Sequence, residues 1–499
     1  MQDGTRLAAV DLGSNSFRLE IGRLDHGQIH RTEYLKETVR QGGGLDADRN
    51  LTPEAMQRGW ECLARFGERL AGFRKAQVRA VATQTLREAR NREVFLERAQ
   101  EALGFPIDVI AGREEARLIY LGVAHLLPQS DERRLVIDIG GRSTELILGH
   151  AYQPQMTESY RVGSVAWSMK YFPDGQFTPR AFQNAEIAAK AVLDEAIDAY
   201  APDTWDVAYG SSGTIGAVAD VLATAGGEPG LITRQGLDWL LDRLLRAQRA
   251  ENLRLEGMKD DRRSVIGGGL SVLRAVFDLL QIDTLRAAQG ALRHGVLYDL
   301  LDRQHEQTDI RRATVERLAL QFKVDGAQAS RVARVAVPFL QGLLGATPGP
   351  TAQRLERKLG WAAQLHEIGS LISHSDYHKH GAYILEHADA PGFDLAELHR
   401  LGQLVLGHRG KLRKLEEALR EEHFSLQLLA LRLAVILCHA RRDPDLRGLI
   451  LERPHTHPRT AVLSCRAGWA RAYPQSAHLL REEVLAWQKT PWPLQFDER

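Results

Sequence analysis

One short phrase occurs twice in this chain, and it constrains the fold more than any other feature. Val10-Asp11-Leu12-Gly13-Ser14-Asn15-Ser16 leads into an alternating run that ends at Gly22. Ile137-Asp138-Ile139-Gly140-Gly141-Arg142-Ser143-Thr144 leads into a second such run that ends at Gly149. Each copy reads as an apolar strand with an acid near its end, a small polar turn, then a returning strand: a β-hairpin. Glycine admits the positive-φ conformations of a tight turn, in which successive N–H groups point at one anion. The Asp offers oxygen to a hard cation such as Mg²⁺. A single hairpin of this kind is common. Two in matched frame point to a duplicated phosphate-binding domain whose loops clamp a phosphate chain from both sides.

At 499 residues the chain is too long for one core and predicts three or four domains. Its cysteines, Cys62, Cys438 and Cys465, have no metal-ligand spacing and read as reduced thiols of a cytoplasmic protein. No apolar run approaches the span of a bilayer, and the N-terminus lacks a secretory pattern. No transmembrane segment is therefore expected, which leaves room only for peripheral membrane association. The charge is nearly balanced overall, yet residues 306–499 carry 27 Lys/Arg against 22 Asp/Glu, and 12 of the 18 histidines. That tilt suggests a polyanionic ligand longer than one site. Chance sampling is the plain alternative.

Strand and helix signals alternate over the first 300 residues, as in α/β architectures. Thr52-Pro53 and Thr178-Pro179 read as helix N-caps followed by proline at the first helical position. Val78–Ala82, Ile107–Ile110 and Val207–Tyr209 read as strands, and a helix is predicted from about Arg113 to Leu127. Gly267-Gly268-Gly269 precedes an apolar helix. Helical periodicity then dominates through Ala440, followed by short strands at Leu449–Leu451 and Ala461–Cys465 and a final helix near Ser476–Lys489. These shifts place boundaries near residues 126, 305 and 444.

Three further segments carry chemistry. Gly210-Ser211-Ser212-Gly213-Thr214 lies between a strand and a helix, where free N–H groups and the helix dipole favour an anion. An ordinary turn capped by Thr214 is the alternative. Arg113-Glu114-Glu115-Ala116-Arg117 opens a helix. A doubled Glu there suits the dipole, but phosphoanhydride hydrolysis also needs a carboxylate to deprotonate water. The residues alone do not choose between Glu114 and Glu115. In Thr83-Gln84-Thr85-Leu86-Arg87-Glu88-Ala89-Arg90-Asn91, Arg87 offers a fork for phosphate oxygens or, more plainly, a salt bridge.

The ordered set AAVDLGSNSFRLEIG, ATQTLREARN, GREEARLIYLGV, LVIDIGGRSTELILG and YGSSGTIGAV resembles the exopolyphosphatase/guanosine pentaphosphate phosphatase family. LGWAAQLHEIG and HSDYHKHGAYIL resemble the helical extension of its long form. The resemblance implies two actin-like (ribonuclease H-like) α/β domains of the sugar-kinase/actin ATPase superfamily, residues 1–126 and 127–305. An all-α HD-like domain, 306–443, and a small α+β domain, 444–499, would follow. It also implies Glu115 as catalytic base and Asp11, Asp138 and Glu145 as Mg²⁺ ligands. Ser14, Asn15, Ser16, Arg87, Gly140, Gly141, Arg142, Ser143, Thr144 and Gly210 through Thr214 would then contact phosphate. Arg142 departs from the usual glycine of the second loop. A Cβ there would strain a positive-φ turn, or the guanidinium would reach into the cleft and add a phosphate contact.

In the HD-like segment the metal-binding His-Asp pair is His366-Glu367, and neither the first His nor the final Asp is found. His374, His378 and His380 are better read as packing or polyanion contacts than as metal ligands. His378, His380, His408, Arg409, Lys411, Arg413 and Lys414 are the candidate track for a long polyanion. Together these readings imply a Mg²⁺-dependent exopolyphosphatase that removes terminal orthophosphate from inorganic polyphosphate processively. Guanosine pentaphosphate 5′-phosphohydrolase is the alternative. An actin-like kinase or sensor, with adenosine against Gly267–Gly269, and a non-catalytic polyphosphate- or alarmone-binding regulator are weaker rivals. A homodimer is expected through the C-terminal helices, and no nucleic-acid partner.

Overall fold

The computed structural model describes residues 2–128, 130–303, 308–345, 349–454, 456 and 458–498. The chain divides into two compact units, Met1–Asp309 and Ile310–Arg499. The boundary expected near residue 305 lies outside the described residues.

The first unit holds two sheets built to one plan. β1 (Arg6–Leu12), β2 (Phe17–Asp25) and β3 (Gln28–Glu37) form an antiparallel meander. β4 (Val78–Ala82) and β5 (Ile107–Val109) continue it in parallel on the other side of β1, giving the order β3-β2-β1-β4-β5. In the second sheet, β6 (Arg133–Ile139), β7 (Thr144–His150) and β8 (Gln153–Tyr160) repeat the meander. β9 (Val207–Ser211), β10 (Leu231–Thr233) and β11 (Thr284–Ala287) complete the order β10-β11-β9-β6-β7-β8. The repeated phrase is thus the first hairpin of each sheet. β1 and β6 are buried at every residue after the first, which is why they read as continuous apolar runs, while the edge strand β3 alternates.

The predicted caps form: Thr52 accepts from the Ala55 N–H and Thr178 from the Ala181 N–H. Gly267–Gly269 lie inside the helix Ile266–Leu279 rather than before it. A Cβ on Gly268 would sit 2.5 Å from the Ser164 carbonyl, and one on Gly269 would sit 2.6 Å from Thr214. They are spacers for close helix packing, and none lines the cleft described below.

A core between the sheets joins Leu7, Val81, Tyr120, Val136, Ile147 and Val296. Here the helices Gly112–Leu126 and Leu292–Asp302 cross so closely that a Cβ on Gly295 would fall 1.7 Å from the Leu118 carbonyl oxygen. Gly295→Ala is expected to cost about 1–3 kcal/mol, read as a lowered Tm. Gly360→Ala, on a helix with open space around it, is expected to leave Tm unchanged or raise it.

In the second unit, helices from Ile310–Gln321 to Glu422–Leu437 are followed by β12 (Leu449–Glu452), β13 (Ala461–Cys465), the helix Pro474–Trp487 and β14 (Leu494–Glu498). Leu340 and Leu428 of the helices share one hydrophobic cluster with Leu463 and Trp487 of the tail. The boundary expected near 444 therefore does not separate two cores, because so short a tail cannot bury one alone.

Candidate functional site

The two hairpin turns of the first unit face each other across a cleft that encloses about 300 Å³. Asp11, Ser14, Asn15, Ser16, Glu115, Asp138, Gly140, Gly141, Ser143, Ser212, Gly213 and Thr214 all line it, so most of the residues expected at the site converge. The turn glycines earn their place differently from the expectation. Neither Gly13, Gly140 nor Gly141 has a positive φ. Instead a Cβ on Gly141 would lie 2.8 Å from the Ser14 side chain, so small residues let the two loops touch. The strained backbone is at Ser212, with φ 100°. Its hydroxyl caps the helix Gly213–Thr224 by accepting from the Thr214 and Ile215 N–H groups, so Ser212 and not Thr214 is the cap. That helix start faces the cleft, where its dipole favours an anion.

The matched register of the hairpins sets their charges apart. Asp11 stands opposite Arg18 in the first, and Asp138 opposite Glu145 in the second. Arg18 Nη1 donates to Asp11 at 3.0 Å, so this acid is already paired. Asp138 is pushed up to about 7 by burial, with Glu115 and Asp11 adding to the rise and Ser211 and Arg18 opposing it. Glu145 is fully buried, one oxygen accepting from Ser159 at 2.8 Å and the other without a partner. Burial and the charges of Glu115 and Asp138 raise it well above the usual carboxylate range. It lies behind the cleft wall, opposite Asp138 in the ladder, rather than on the surface of the cleft.

The structure also separates the two candidate bases. Glu114 is tied bidentately to Arg117, at 2.7 and 2.9 Å, in a buried network with Arg79 and Asp299, away from the cleft. Glu115 opens on the cleft and accepts from Arg87 at 2.7 Å. Burial raises Glu115 above the ordinary glutamate range and Arg87 opposes that rise.

Five expected phosphate contacts take other positions. Arg87 does not line the cleft: its guanidinium is spent on Glu115, Gln84 and the Ile110 carbonyl. Arg142 has no positive φ and turns away from the cleft, donating to Glu88 at 2.7 Å and to the Gly42 carbonyl at 3.0 Å. Thr144 is fully buried with its hydroxyl on Val162, and Gly210 is a packing spacer against Ile215 and Leu285. Ser211 is buried with its hydroxyl on the Gly290 carbonyl.

The cleft extends past the hairpins along Arg18, Tyr34, Lys36, Lys259, Arg262 and Arg293, which the sequence reading missed. Lys36 donates to Asp261 at 2.7 Å, and burial holds Lys36 and Arg262 below their ordinary values against the opposing pull of that acid. The available signal was local: Arg18, Tyr34 and Lys36 recur at even spacing on β2 and β3, and so share a sheet face.

In the second unit, Arg409, Lys411, Arg413 and Lys414 are exposed, whereas His378 and His380 are half-buried. His408 is 2% exposed, bonded to the Val405 carbonyl and held well below the usual histidine range by burial, so it is a core residue rather than part of a surface track. Glu367 pairs with Arg441 at 2.7 Å, and His366 bonds to the Ala363 carbonyl. Among the described residues, three potential metal ligands converge only at the surface group of exposed Asp3, half-buried Asp25 and exposed His26.

Similarity to known proteins follows the same division. Residues 21–304 match the Ppx/GppA phosphatase family, and residues 310–484 match Ppx/GppA phosphatase, domain III. A Vibrio atlanticus protein named guanosine-5′-triphosphate,3′-diphosphate pyrophosphatase is 38% identical over 492 residues, 98% of each chain. Its namesake from Vibrio campbellii is 39% identical over 491 residues, 98% of this chain and 97% of its own. Among solved structures, an exopolyphosphatase from Cytophaga hutchinsonii matches with TM-score 0.54 at 25% identity, covering 60% of this chain and 98% of its own. The Ppx/GppA family member from Aquifex aeolicus matches with TM-score 0.51 at 25% identity, covering 60% of this chain and 99% of its own. With two facing hairpins, a cleft-facing glutamate and full-length similarity of this order, the chain belongs to the Ppx/GppA phosphatase family.

Proposed function

We propose that this phosphohydrolase cleaves the terminal phosphoanhydride of guanosine 5′-triphosphate 3′-diphosphate and releases orthophosphate. The carrying observation is Glu115, a carboxylate presented to a cleft whose hairpin turns and Ser212–Thr214 loop are suited to one phosphate chain. The basic residues further along the cleft suit a ligand with a second charged end. The names of the full-length relatives favour the nucleotide over the polymer expected from the basic C-terminal half. Backbone N–H groups of the turns would orient the terminal phosphate, and Glu115, ionised and held by Arg87, would take the proton of the attacking water.

The acids behind the turns fit a divalent cation. Glu145 has a buried oxygen without a hydrogen-bond partner, and burial, with Glu115 and Asp11 adding to it, raises Asp138, so a cation would relieve this pair, whereas Asp11 is already paired with Arg18. Asp138 and Glu145 would hold Mg²⁺, which when bound neutralises phosphate oxygens. Turnover is expected to be lost on EDTA treatment and restored by Mg²⁺. Full activity of the metal-free enzyme would remove the cation from the scheme.

Orthophosphate release from guanosine pentaphosphate, long polyphosphate and ATP, measured side by side, tests the substrate. The nucleotide is expected to give the highest kcat/KM; an equal or higher value for polyphosphate would return the reading to exopolyphosphatase. The exposed Arg409, Lys411, Arg413 and Lys414 support polyphosphate as a second substrate. Their joint replacement by Gln is expected to slow turnover of long chains at moderate salt and leave the nucleotide unaffected.

A further inference from the structure

Arg142 stands where the family resemblance expects a glycine, and its side chain spans the two lobes of the first unit. It starts on the turn between β6 and β7 and ends on the opposite lobe, at Glu88 and at the carbonyl of Gly42. Glu88 is the last residue of the short helix Gln84–Glu88, which also carries Arg87.

The hydrogen bonds around Glu88 form one unbroken chain. Arg142 donates to Glu88 Oε2 from Nε at 3.0 Å and from Nη2 at 2.7 Å. The other oxygen, Glu88 Oε1, accepts from the Gln84 amide nitrogen at 2.6 Å. The Gln84 amide oxygen accepts from Arg87 Nε at 2.9 Å and from Arg87 Nη2 at 2.6 Å. Arg87 Nη1 then donates to Glu115 Oε2 at 2.7 Å and to the Ile110 carbonyl at 2.9 Å. Each donor meets an acceptor, and the order fixes the direction of the central amide: turned over, Gln84 would face its NH₂ to a guanidinium and its oxygen to a carboxylate. The members are mostly sheltered, with 19% of the Arg142 side chain exposed and 13% each of Glu88 and Arg87. Hydrogen bonds in such surroundings hold geometry well and are costly to leave half-satisfied.

We propose that Arg142 is a positioning residue: by closing on Glu88 from the opposite lobe it fixes Gln84 and Arg87, and through them the orientation of the Glu115 carboxylate toward the cleft. The substrate does not meet Arg142, which acts when the lobes are together, so assembly of the base is tied to closure of the cleft. Removing Arg142 leaves Glu88 without its cation. The neighbouring Gln84 amide and Arg87 guanidinium then regain freedom, and Glu115 loses the fixed partner that aims it. A base that is mis-aimed by a fraction of an ångström slows the chemical step while the phosphate turns still bind substrate.

The inference rests on Glu115 being the base, and the experiment keeps the two claims apart. Steady-state kinetics and Tm are measured on full-length wild type, Glu115→Gln, Arg142→Gly, Arg142→Lys, Glu88→Ala and the Arg142→Gly/Glu88→Ala double variant. Arg142→Gly is expected to lower kcat roughly tenfold with KM within about twofold. Arg142→Lys, which keeps the charge, is expected to recover most of kcat. In the Glu88→Ala background, loss of Arg142 is expected to cost little more, because the pair acts as a unit. Turnover by Glu115→Gln near the wild-type level would overturn the base itself. An inactive Glu115→Gln beside an Arg142→Gly enzyme of normal kcat would overturn the relay alone. Additive losses in the double variant, or a fall in kcat that tracks a fall in Tm and is not rescued by Lys, would also overturn it in favour of a purely structural clasp.

Discussion

Glu115→Gln is expected to lower turnover by about two to four orders of magnitude while substrate binding stays within a few-fold of wild type. The amide fills the same space and still accepts from Arg87, so the substitution removes proton uptake and little else. Glu114→Gln makes the contrasting case. Its carboxylate grips Arg117 in the buried network, and its loss is expected to show as a lowered Tm with turnover retained in the folded fraction. The pH profile adds a second reading. Burial raises Glu115 against the opposing pull of Arg87, with Asp11 adding to the rise, so the active ionised form is gained at higher pH than for a solvated glutamate. The acid limb of kcat/KM should therefore lie above the ordinary carboxylate range. An active Glu115→Gln beside an inactive, normally stable Glu114→Gln would exchange the two roles.

The duplicated hairpins were legible because strand, acid, turn and returning strand are all local features. Their periodicity survives in a linear reading, and the family resemblance pointed to Glu115 as the candidate base. Three things were not legible, each for a tertiary reason. The glycines of the turns reflect how closely two loops from distant parts of the chain approach, as with Gly141 against Ser14, and no local pattern reports such a distance. Arg87 and Arg142 stay ambiguous in sequence because an arginine near a phosphate loop looks alike whether its fork meets a ligand or a carboxylate; only the placement of Glu115 and Glu88 decides. His408 sits beside Arg409 and Lys411 in sequence, yet the helix end turns it into the core while its neighbours stay in water. The basic wall of the cleft escaped for the converse reason. Lys36, Lys259 and Arg293 come from three separate segments, and convergence of that kind is a property of the fold.

The same helix that presents Glu115 is anchored by a buried cluster of charges, and breaking that cluster is expected to have a large effect on stability. Asp299 is 1% exposed and accepts from Arg79, Arg117 and Arg303, while Arg117 also holds Glu114. Burial alone would favour neutral Asp299, but the three guanidinium groups overcome it and hold the carboxyl far below its ordinary range. Asp299→Ala would leave those three cations with too few counter-charges in a site closed to water. Breaking one side of a buried ion cluster costs about 3–5 kcal/mol, since the orphaned charge keeps its desolvation penalty. For a unit of this size the loss corresponds to a Tm lower by roughly 10 °C. The sign of the pH dependence follows from the depressed value. The contribution of Asp299 is complete above the ordinary aspartate pKa of about 4 and is lost as pH falls below it, when the unfolded chain takes up a proton that the folded chain refuses. Thermal unfolding followed from pH 7 downward should therefore show a wild-type Tm that falls more steeply in the acid range than that of Asp299→Ala. Curves that coincide at neutral pH would mean that pairing in this cluster only balances the cost of burying it. A gap that is wide at pH 7 and narrows on acidification would show the network anchoring the helix start, and with it the cleft face of Glu115, through the charge of one aspartate.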